Sequence, residues 1–501
     1  MYTLNTNKGR GPFTRKLSED SYYRALTARD RRFDGVFFVG VKSTGVYCRP
    51  VCPARTPRRD RCRFFVAAAA AEQAGFRPCL RCRPELAPGQ APVDSKSRFA
   101  HDIAARIEAG ALDDGGSLEH LAGEFGLSSR QLRRIVAAEL GVSPVELAQT
   151  RRLLLAKQLL TETRLPIIEV AYASGFASVR RFNALFRAHY RLTPSRLRKA
   201  ADSPAEEHTL RLTLSYRPPL AWDEMLGFLA ARAITGVEAV EDRTYLRTVA
   251  LRKHRGWLRV ERLEGGHALS VDLSPSLTPV LPNVLARLRS LFDLDARPDV
   301  VAEHLSADER LRPLVRRTPG LRVPGCFDAF ELAWRAVLGQ QVSVRSATTL
   351  AGRIANTFGD TIDTPFPQLN RLSPTASRLA AAGVKELAKL GIVRTRAASL
   401  AALAKAAARG GLLDLWAAEP EQRLEQLQGI PGIGPWTAGY INMRAFRWPD
   451  AWPEGDLALR KALGVASTHQ LRGMAEPWRP WRAYAVMHLW HSLSKTESRK
   501  P

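Results

Sequence analysis

The sequence contains no run of about 18 apolar residues, the length a helix needs to cross a bilayer. Its first residues, Met1 to Thr14, are polar and lack the apolar segment of a secretory signal. No membrane partner is expected, and the location these absences point to is cytoplasmic and nucleoid-associated. Cysteine is scarce, with only Cys48, Cys52, Cys62, Cys79, Cys82 and Cys326. In a chain with no export signal, clustered cysteines read as metal-binding or reactive rather than disulfide-bonded. Acidic residues are also short, 49 against 75 Lys and Arg, for a net charge of +26. Residues 1–200 hold 35 basic and 18 acidic side chains, so most of the excess lies in the front of the chain. A basic excess of this kind favours a polyanion through counterion release. A plain solubility charge in an arginine-rich chain is the alternative reading.

What is present divides the 501 residues into several domains. Residues 1–17 read as a basic tail. Residues 18–92 are rich in Arg and Cys and end in a Pro/Gly stretch. Residues 93–200 carry apolar residues three and four apart, the helical period. A polar linker, Ala200 to Glu207, follows. From 208 to 318 short alternating segments (Leu210–Leu214, Tyr245–Leu251, Trp257–Arg262, Ala268–Leu273) surround a helix at Trp222–Ala233, an α+β pattern. Residues 319–493 are helical again, with the Ala-rich run Leu400–Ala408 read as helix, and 494–501 form a tail. The expected class is a multidomain α+β chain.

Cys48 and Cys52 are separated by three residues, Cys79 and Cys82 by two. Two close thiolate pairs suit one tetrahedral zinc, and by spacing alone a purely structural zinc knot is the commoner outcome. The flanking runs, Ser43-Thr44-Gly45-Val46-Tyr47-Cys48-Arg49-Pro50 and Gly75-Phe76-Arg77-Pro78-Cys79-Leu80-Arg81-Cys82, resemble the methyl-phosphotriester repair domain of the Ada family. That resemblance implies that Cys48 accepts a methyl group from a methylated DNA phosphate, so the zinc is structural and catalytic together. Four thiolates on Zn2+ sum to −2, and methylating one leaves −1, so the transfer would weaken repulsion from DNA. Arg49, Arg55, Arg58, Arg59 and Arg61 are candidate phosphate contacts, or simply a solvated basic face. Cys62 reads as buried rather than as a fifth ligand, and Cys326 as a small core residue.

Residues 117–139 place a helix before a turn at Gly126, then a second helix capped by Ser128 and carrying Arg130, Arg133 and Arg134. Residues 167–190 repeat the arrangement, with Arg180 and Arg181 opening the second helix. A helical bundle with a wet arginine face would share some of these features. The doubled unit, closed by Leu192-Thr193-Pro194-Ser195, resembles the AraC family of double helix-turn-helix domains. This implies major-groove reading by the two second helices.

The run Leu427-Gln428-Gly429-Ile430-Pro431-Gly432-Ile433-Gly434-Pro435-Trp436 puts glycines at a helix start, where backbone amides can hold a phosphate. Asp456 follows Trp436 by 20 residues. Taken alone, such an Asp reads as an exposed helix cap. The run and its spacing resemble the helix-hairpin-helix glycosylase superfamily. Within it, Arg322–Cys326, Ala336–Ser343 and Trp478–Trp490 resemble AlkA-type 3-methyladenine glycosylases. The resemblance implies a TATA-binding-protein-like α+β domain ahead of an all-α glycosylase domain. It makes Asp456 the catalytic carboxylate and Trp436, Tyr440 and Trp490 the base pocket, although core packing would equally bury such rings. It sets the amides of Gly432, Gly434 and Thr437 against phosphate, and the carbonyls of Gln428, Ile430 and Ile433 around a monovalent cation. Gln341 falls at the position that wedges into the gap left by the flipped base, where AlkA-type enzymes carry an apolar residue. Trp436 stands where strand-cutting relatives carry a Lys, so no Schiff-base lyase chemistry is expected. A C-terminal four-cysteine iron–sulfur motif is absent, as is the Pro-Cys-His-Arg motif of the second Ada methyltransferase.

Together these resemblances imply a bifunctional alkylation-repair enzyme and transcription regulator. It would excise 3-methyladenine-type bases, take methyl groups from phosphotriesters, and have duplex DNA and RNA polymerase as partners. The alternative is a methylation-responsive activator whose glycosylase half is inactive or differently targeted.

Overall fold

A computed structural model describes residues 18–95, 97–113, 115–199, 209–410 and 418–497. The expected basic tail, the linker 200–207 and the last residues, 498–501, lie outside them. The described residues fall into two compact units. One is drawn from Met1–Pro218, Leu263–Ala286 and Leu294–Arg297, the other from Pro219–Arg262, Arg287–Asp293 and Pro298–Pro501. The stretch read as one α+β domain, 208–318, therefore contributes to both. No described helix is long and apolar enough to cross a membrane.

The first unit begins with α1 (Glu19–Thr27), capped by the Ser18 side chain. Strands β1 (Phe38–Val41), β2 (Val46–Cys48) and β3 (Cys62–Phe65), helix α2 (Ala68–Gln73) and strand β4 (Arg77–Pro78) follow, in sheet order β3-β1-β2-β4. Successive strand residues face opposite sides. Val39 packs with Phe37 and Leu26 on one side, Phe38 with Tyr47 and Phe65 on the other. Next come α3 (Arg98–Glu108), α4 (Leu118–Glu124), α5 (Ser129–Leu140), α6 (Pro144–Glu162), α7 (Ile167–Ala173), α8 (Val179–Tyr190) and α9 (Pro194–Lys199). Helix α6 is buried on nearly every side, as a helix at the centre of a domain must be. It even buries Lys157, whose ammonium donates to Glu85 Oε2 at 2.6 Å. Glu72 on α2 accepts from the Tyr47 hydroxyl at 2.9 Å and from Thr150 Oγ1 on α6 at 2.6 Å. The cysteine-rich sheet and the helical domain that follows it thus share buried polar contacts. Strand β5 (Leu210–Ser215) pairs antiparallel with the strand Ala268–Leu273. The fully buried Arg217 donates to the carbonyls of Asp34 (2.8 Å), Gly89 (2.6 Å) and Asp295 (2.6 Å).

In the second unit, α10 (Trp222–Ala230) ends three residues before the expected Ala233. An antiparallel meander follows: β6 (Glu238–Glu241), β7 (Thr244–Leu251) and β8 (His254–Arg262). Most of the remaining described residues are helical. Helices Ala329–Leu338, Arg394–Ala408 and Pro435–Arg444 enclose a core containing Trp334, Leu400 and Ile441. The Ala-rich run lies in the second of these, as expected. The helix Arg482–Glu497 runs into the stretch read as a tail.

That last helix buries His488, and burial, aided by His491, pushes its imidazole down to about 4. In the unfolded chain it titrates near 6.5. Between those values the unfolded chain binds more protons, so stability is full above about pH 6.5 and is lost as the pH falls toward 4. The loss amounts to about 3 kcal/mol. In thermal melts across that range, His488→Gln is expected to flatten the acid slope of the second unit; an unchanged slope would refute this.

Candidate functional site

Cys48 ends β2 and is paired in register with Val39. Cys79 follows β4, its amide donating to the Tyr47 carbonyl at 3.0 Å. The two neighbouring strands, parallel to each other, bring the first members of the two pairs together, and the turns after them supply Cys52 and Cys82. All four sulfurs lie within 4.8 Å of one another and all four residues are buried. A tetrahedron with Zn–S bonds of about 2.3 Å has S···S edges of about 3.8 Å, so the donor set fits zinc. Cys62 lies outside the cluster, buried on β3, with its sulfur 3.3 Å from the Arg58 carbonyl. A cleft of about 360 Å³ opens beside Cys48, Cys52 and Cys79, rimmed by Arg55, Arg77 and Arg81. Of the five arginines considered for phosphate, Arg49 turns inward. Its guanidinium holds the Asp34 carboxylate and the Cys82 carbonyl, and its amide donates to Cys82 Sγ at 3.4 Å. Arg59 pairs with Glu19 at 2.7 Å, and Arg61 with Asp60 at 3.5 Å. Arg55 and Arg58 are exposed.

The two helix-turn-helix units form where the apolar spacing placed them. Gly126 turns with φ +63°, a left-handed conformation that glycine adopts without a side-chain clash. Ser128 then caps α5 in a capping box with Gln131, and Ser178 caps α8. Arg130, Arg133 and Arg134 on α5 and Arg180 and Arg181 on α8 are all exposed.

In the second unit, the helix Pro420–Gln428, a glycine turn and the helix Pro435–Arg444 form the hairpin. Gly432 has φ +83°, and a Cβ there would run into the Ser399 hydroxyl, so only glycine fits. Gly434 caps the second helix and is half-exposed, and the first amides of that helix, from Trp436 on, have no intrahelical acceptors. Thr437 itself is buried, and its hydroxyl accepts from Gln340. Among the three carbonyls considered for a cation, that of Ile430 accepts the Ile433 amide at 3.0 Å. Gln341 is exposed, with φ +55°, on the turn before the helix Val344–Phe358.

Asp456 is a helix cap, as its residue type alone suggested, but a buried one, 7% exposed. It caps the helix Leu457–Leu463 through Oδ1, which accepts from the Leu459 amide at 2.8 Å. Its oxygens also accept from Trp436 Nε1 at 2.7 Å and Trp490 Nε1 at 3.2 Å. Trp436 and Tyr440 stack with centroids 5.3 Å apart and planes 13° from parallel, and Trp490 lies 6.2 Å from Tyr440. Together with Asp456 these rings line a cavity of about 440 Å³. Arg232, Arg335 and Arg444 line it too, and none of them was anticipated. Arg444 donates to the Tyr440 hydroxyl at 2.7 Å and is anchored on the Pro324 and Gly325 carbonyls. Burial opposes ionisation of Tyr440, yet Arg444 and Arg232 outweigh it and hold the phenol below its ordinary value. Arg335 is held by Glu238 at 2.8 Å and Glu331 at 3.1 Å. A signal for Arg444 did exist, since 436, 440 and 444 are four apart on one helix face. Cys326 packs half-buried against the core, with burial pushing its thiol up to about 12.

A zinc-thiolate domain joined to a double helix-turn-helix, followed by a hairpin glycosylase fold, defines a class of fused DNA-alkylation repair proteins. Family models match along the chain in the same order: the metal binding domain of Ada over 21–85, a helix-turn-helix domain over 121–200, the AlkA N-terminal domain over 211–328, and the HhH-GPD superfamily of base excision DNA repair proteins over 334–477. A probable bifunctional transcriptional activator/DNA repair enzyme AlkA from Mycobacterium tuberculosis is 38% identical over 499 residues, covering 96% of this chain and 97% of that protein. DNA-3-methyladenine glycosylase 2 of Escherichia coli is 40% identical over 280 residues, 56% of this chain and 96% of that one. The bifunctional transcriptional activator/DNA repair enzyme AdaA of Bacillus subtilis is 30% identical over 187 residues, 37% of this chain and 84% of that one. The chain belongs to the family of bifunctional AlkA proteins, in which an Ada-type front is fused to an AlkA-type glycosylase.

Proposed function

We propose that this protein repairs alkylated DNA in two ways and regulates transcription in response. Its back half hydrolyses the N-glycosidic bond of 3-methyladenine-type bases, and its front half takes methyl groups from DNA methylphosphotriesters. The observation that carries the first activity is Asp456, buried and held by two indole N–H groups in a ring-lined cavity beside the hairpin. A base must be flipped out of the duplex to enter that cavity. There its cationic ring stacks on Trp436 and Tyr440. As the C1′–N bond breaks, the bonding pair leaves with the base, which becomes neutral and needs no strong acid. Positive charge grows on the sugar, and the Asp456 carboxylate stabilises it while water adds at C1′ and passes its proton to the surrounding water. The hairpin amides of Gly432, Gly434 and Thr437 grip the strand, with a monovalent cation on the carbonyls of Gln428, Ile430 and Ile433 assisting.

In the front half, zinc when bound keeps the sulfurs deprotonated. Cys48 Sγ attacks the methyl carbon of the phosphotriester; the S–C bond forms, the C–O bond breaks, and a phosphodiester anion leaves. The cluster becomes less negative, DNA binding tightens, and α5 and α8 hold a promoter where RNA polymerase is the second partner. The protein works in the cytoplasm, on the nucleoid.

Two assays test this. Duplex DNA carrying 3-methyladenine or 7-methylguanine is incubated with the protein and the released base measured. A reporter of alkylation-repair gene expression is followed with and without a methylating agent. Absence of base release would leave a methylation-responsive regulator, and an unresponsive reporter would leave a repair enzyme only.

A further inference from the structure

The proposed glycosylase reading assigns no role to Gln340, the neighbour of the wedge residue. Its side-chain amide nitrogen reaches the hairpin 92 residues away and donates both to the Gly432 carbonyl and to Thr437 Oγ1, each at 2.9 Å. A primary amide has two N–H donors, so both are used. The Gln340 backbone is held as well. Its N–H donates to the Val337 carbonyl at 3.3 Å, and its carbonyl accepts from Arg396 Nη2 at 2.7 Å. Arg396 and Ser399 share the helix Arg394–Ala408, and Ser399 is the residue pressed against Gly432. The wedge turn, that helix and the hairpin therefore close a triangle of polar and steric contacts with Gln340 at one corner. The next residue, Gln341, is exposed and sits at φ +55°, a strained conformation for a residue with a Cβ that persists only where its surroundings impose it.

Resting on the glycosylase reading, we infer that Gln340 is a positioning residue that couples the Gln341 wedge to the phosphate-gripping hairpin. Flipping requires the wedge to enter the stack while the backbone phosphate is held. The separation between the two must therefore stay constant through the motion. Gln340 sets it by tying the wedge turn directly to the turn and helix start that carry the phosphate-facing amides. Its contribution belongs to extrusion of a paired base, not to bond cleavage in the cavity.

Single-turnover base release separates those steps when measured on one lesion in two settings. In one the lesion is paired within a duplex; in the other it faces an abasic site, where no pairing has to be broken. Gln340→Met keeps the length and removes both donors. It is expected to slow release of the paired lesion about tenfold and to stay within about twofold of wild type opposite the abasic site. Arg396→Met removes the bond that fixes the Gln340 carbonyl and should show a smaller slowing with the same split, so the test stands even if the first variant folds poorly. Parallel losses on both substrates, or none on either, with an active wild type, would overturn the inference alone. A wild type that releases no base from either substrate would overturn the glycosylase reading and this inference with it.

Discussion

Exchanging Asp456 for asparagine is expected to slow base release by about 10² to 10³-fold while the fold survives. The carboxylate has two structural duties and one chemical duty, and asparagine retains most of the structural ones. As a helix cap, Asn is about as good as Asp, so the bond from the Leu459 amide is kept. The indole contacts are harder to keep. Asp456 offers acceptor oxygens to both Trp436 and Trp490, whereas asparagine has one oxygen and turns an NH2 toward one of those N–H groups. One poorly satisfied donor costs about 1–3 kcal/mol, a melting shift of a few degrees in a domain of this size. The chemical duty is lost outright, because a neutral amide cannot offset charge growing on the sugar as a carboxylate does. Base release and thermal melting measured side by side distinguish the cases. An asparagine variant that folds and still excises at more than a tenth of the wild-type rate would show that Asp456 is only a cap.

Much of this site could be read before any coordinates because its parts are local. The cysteine pairs, the glycine hairpin and the Ser128 cap each lie within a dozen residues, and each has a spacing dictated by geometry. Ser128 and Ser178 cap α5 and α8 because a hydroxyl just before an apolar-periodic run has a ready partner in the helix's free amides. The spacing of Asp456 from the hairpin marked it, but the two indoles that hold it buried could not be read from spacing. Long-range polar pairs leave no periodic trace. Nothing in the sequence joins Gln340 to Gly432, Glu72 to Thr150, or Arg335 to Glu238. Strand β6 escaped for a related reason. Its first residue, Glu238, is a buried charge, so Glu238–Glu241 lacks the apolar alternation of a half-buried strand. Arg49 looked like a phosphate contact because charge can be read from sequence and direction cannot; Asp34, fifteen residues earlier, turns it inward.

Replacing Cys48 by alanine is expected to reduce methyl uptake from one group per chain to none, with base release unchanged within about twofold. Cys48 and Asp456 belong to different compact units, which is why the second half of that expectation holds. The variant makes a further and less obvious demand on the charge switch. Four thiolates on Zn2+ carry −2, and methylation at Cys48 brings the cluster to −1. Three thiolates on the same ion, with water completing the shell, also carry −1. Cys48→Ala that retains zinc therefore carries the charge of the methylated protein without ever having been methylated. It should bind unmethylated duplex several-fold more tightly than unmethylated wild type at low salt, with the gain shrinking as salt is raised. Metal analysis comes first, because three ligands hold zinc less firmly than four and loss of the ion would unfold the small β3-β1-β2-β4 sheet domain. Fluorescence anisotropy on duplex DNA at two salt concentrations then reads the switch. A zinc-loaded variant that binds no more tightly than unmethylated wild type would mean that the methyl group acts by the contact it makes, not by the charge it removes.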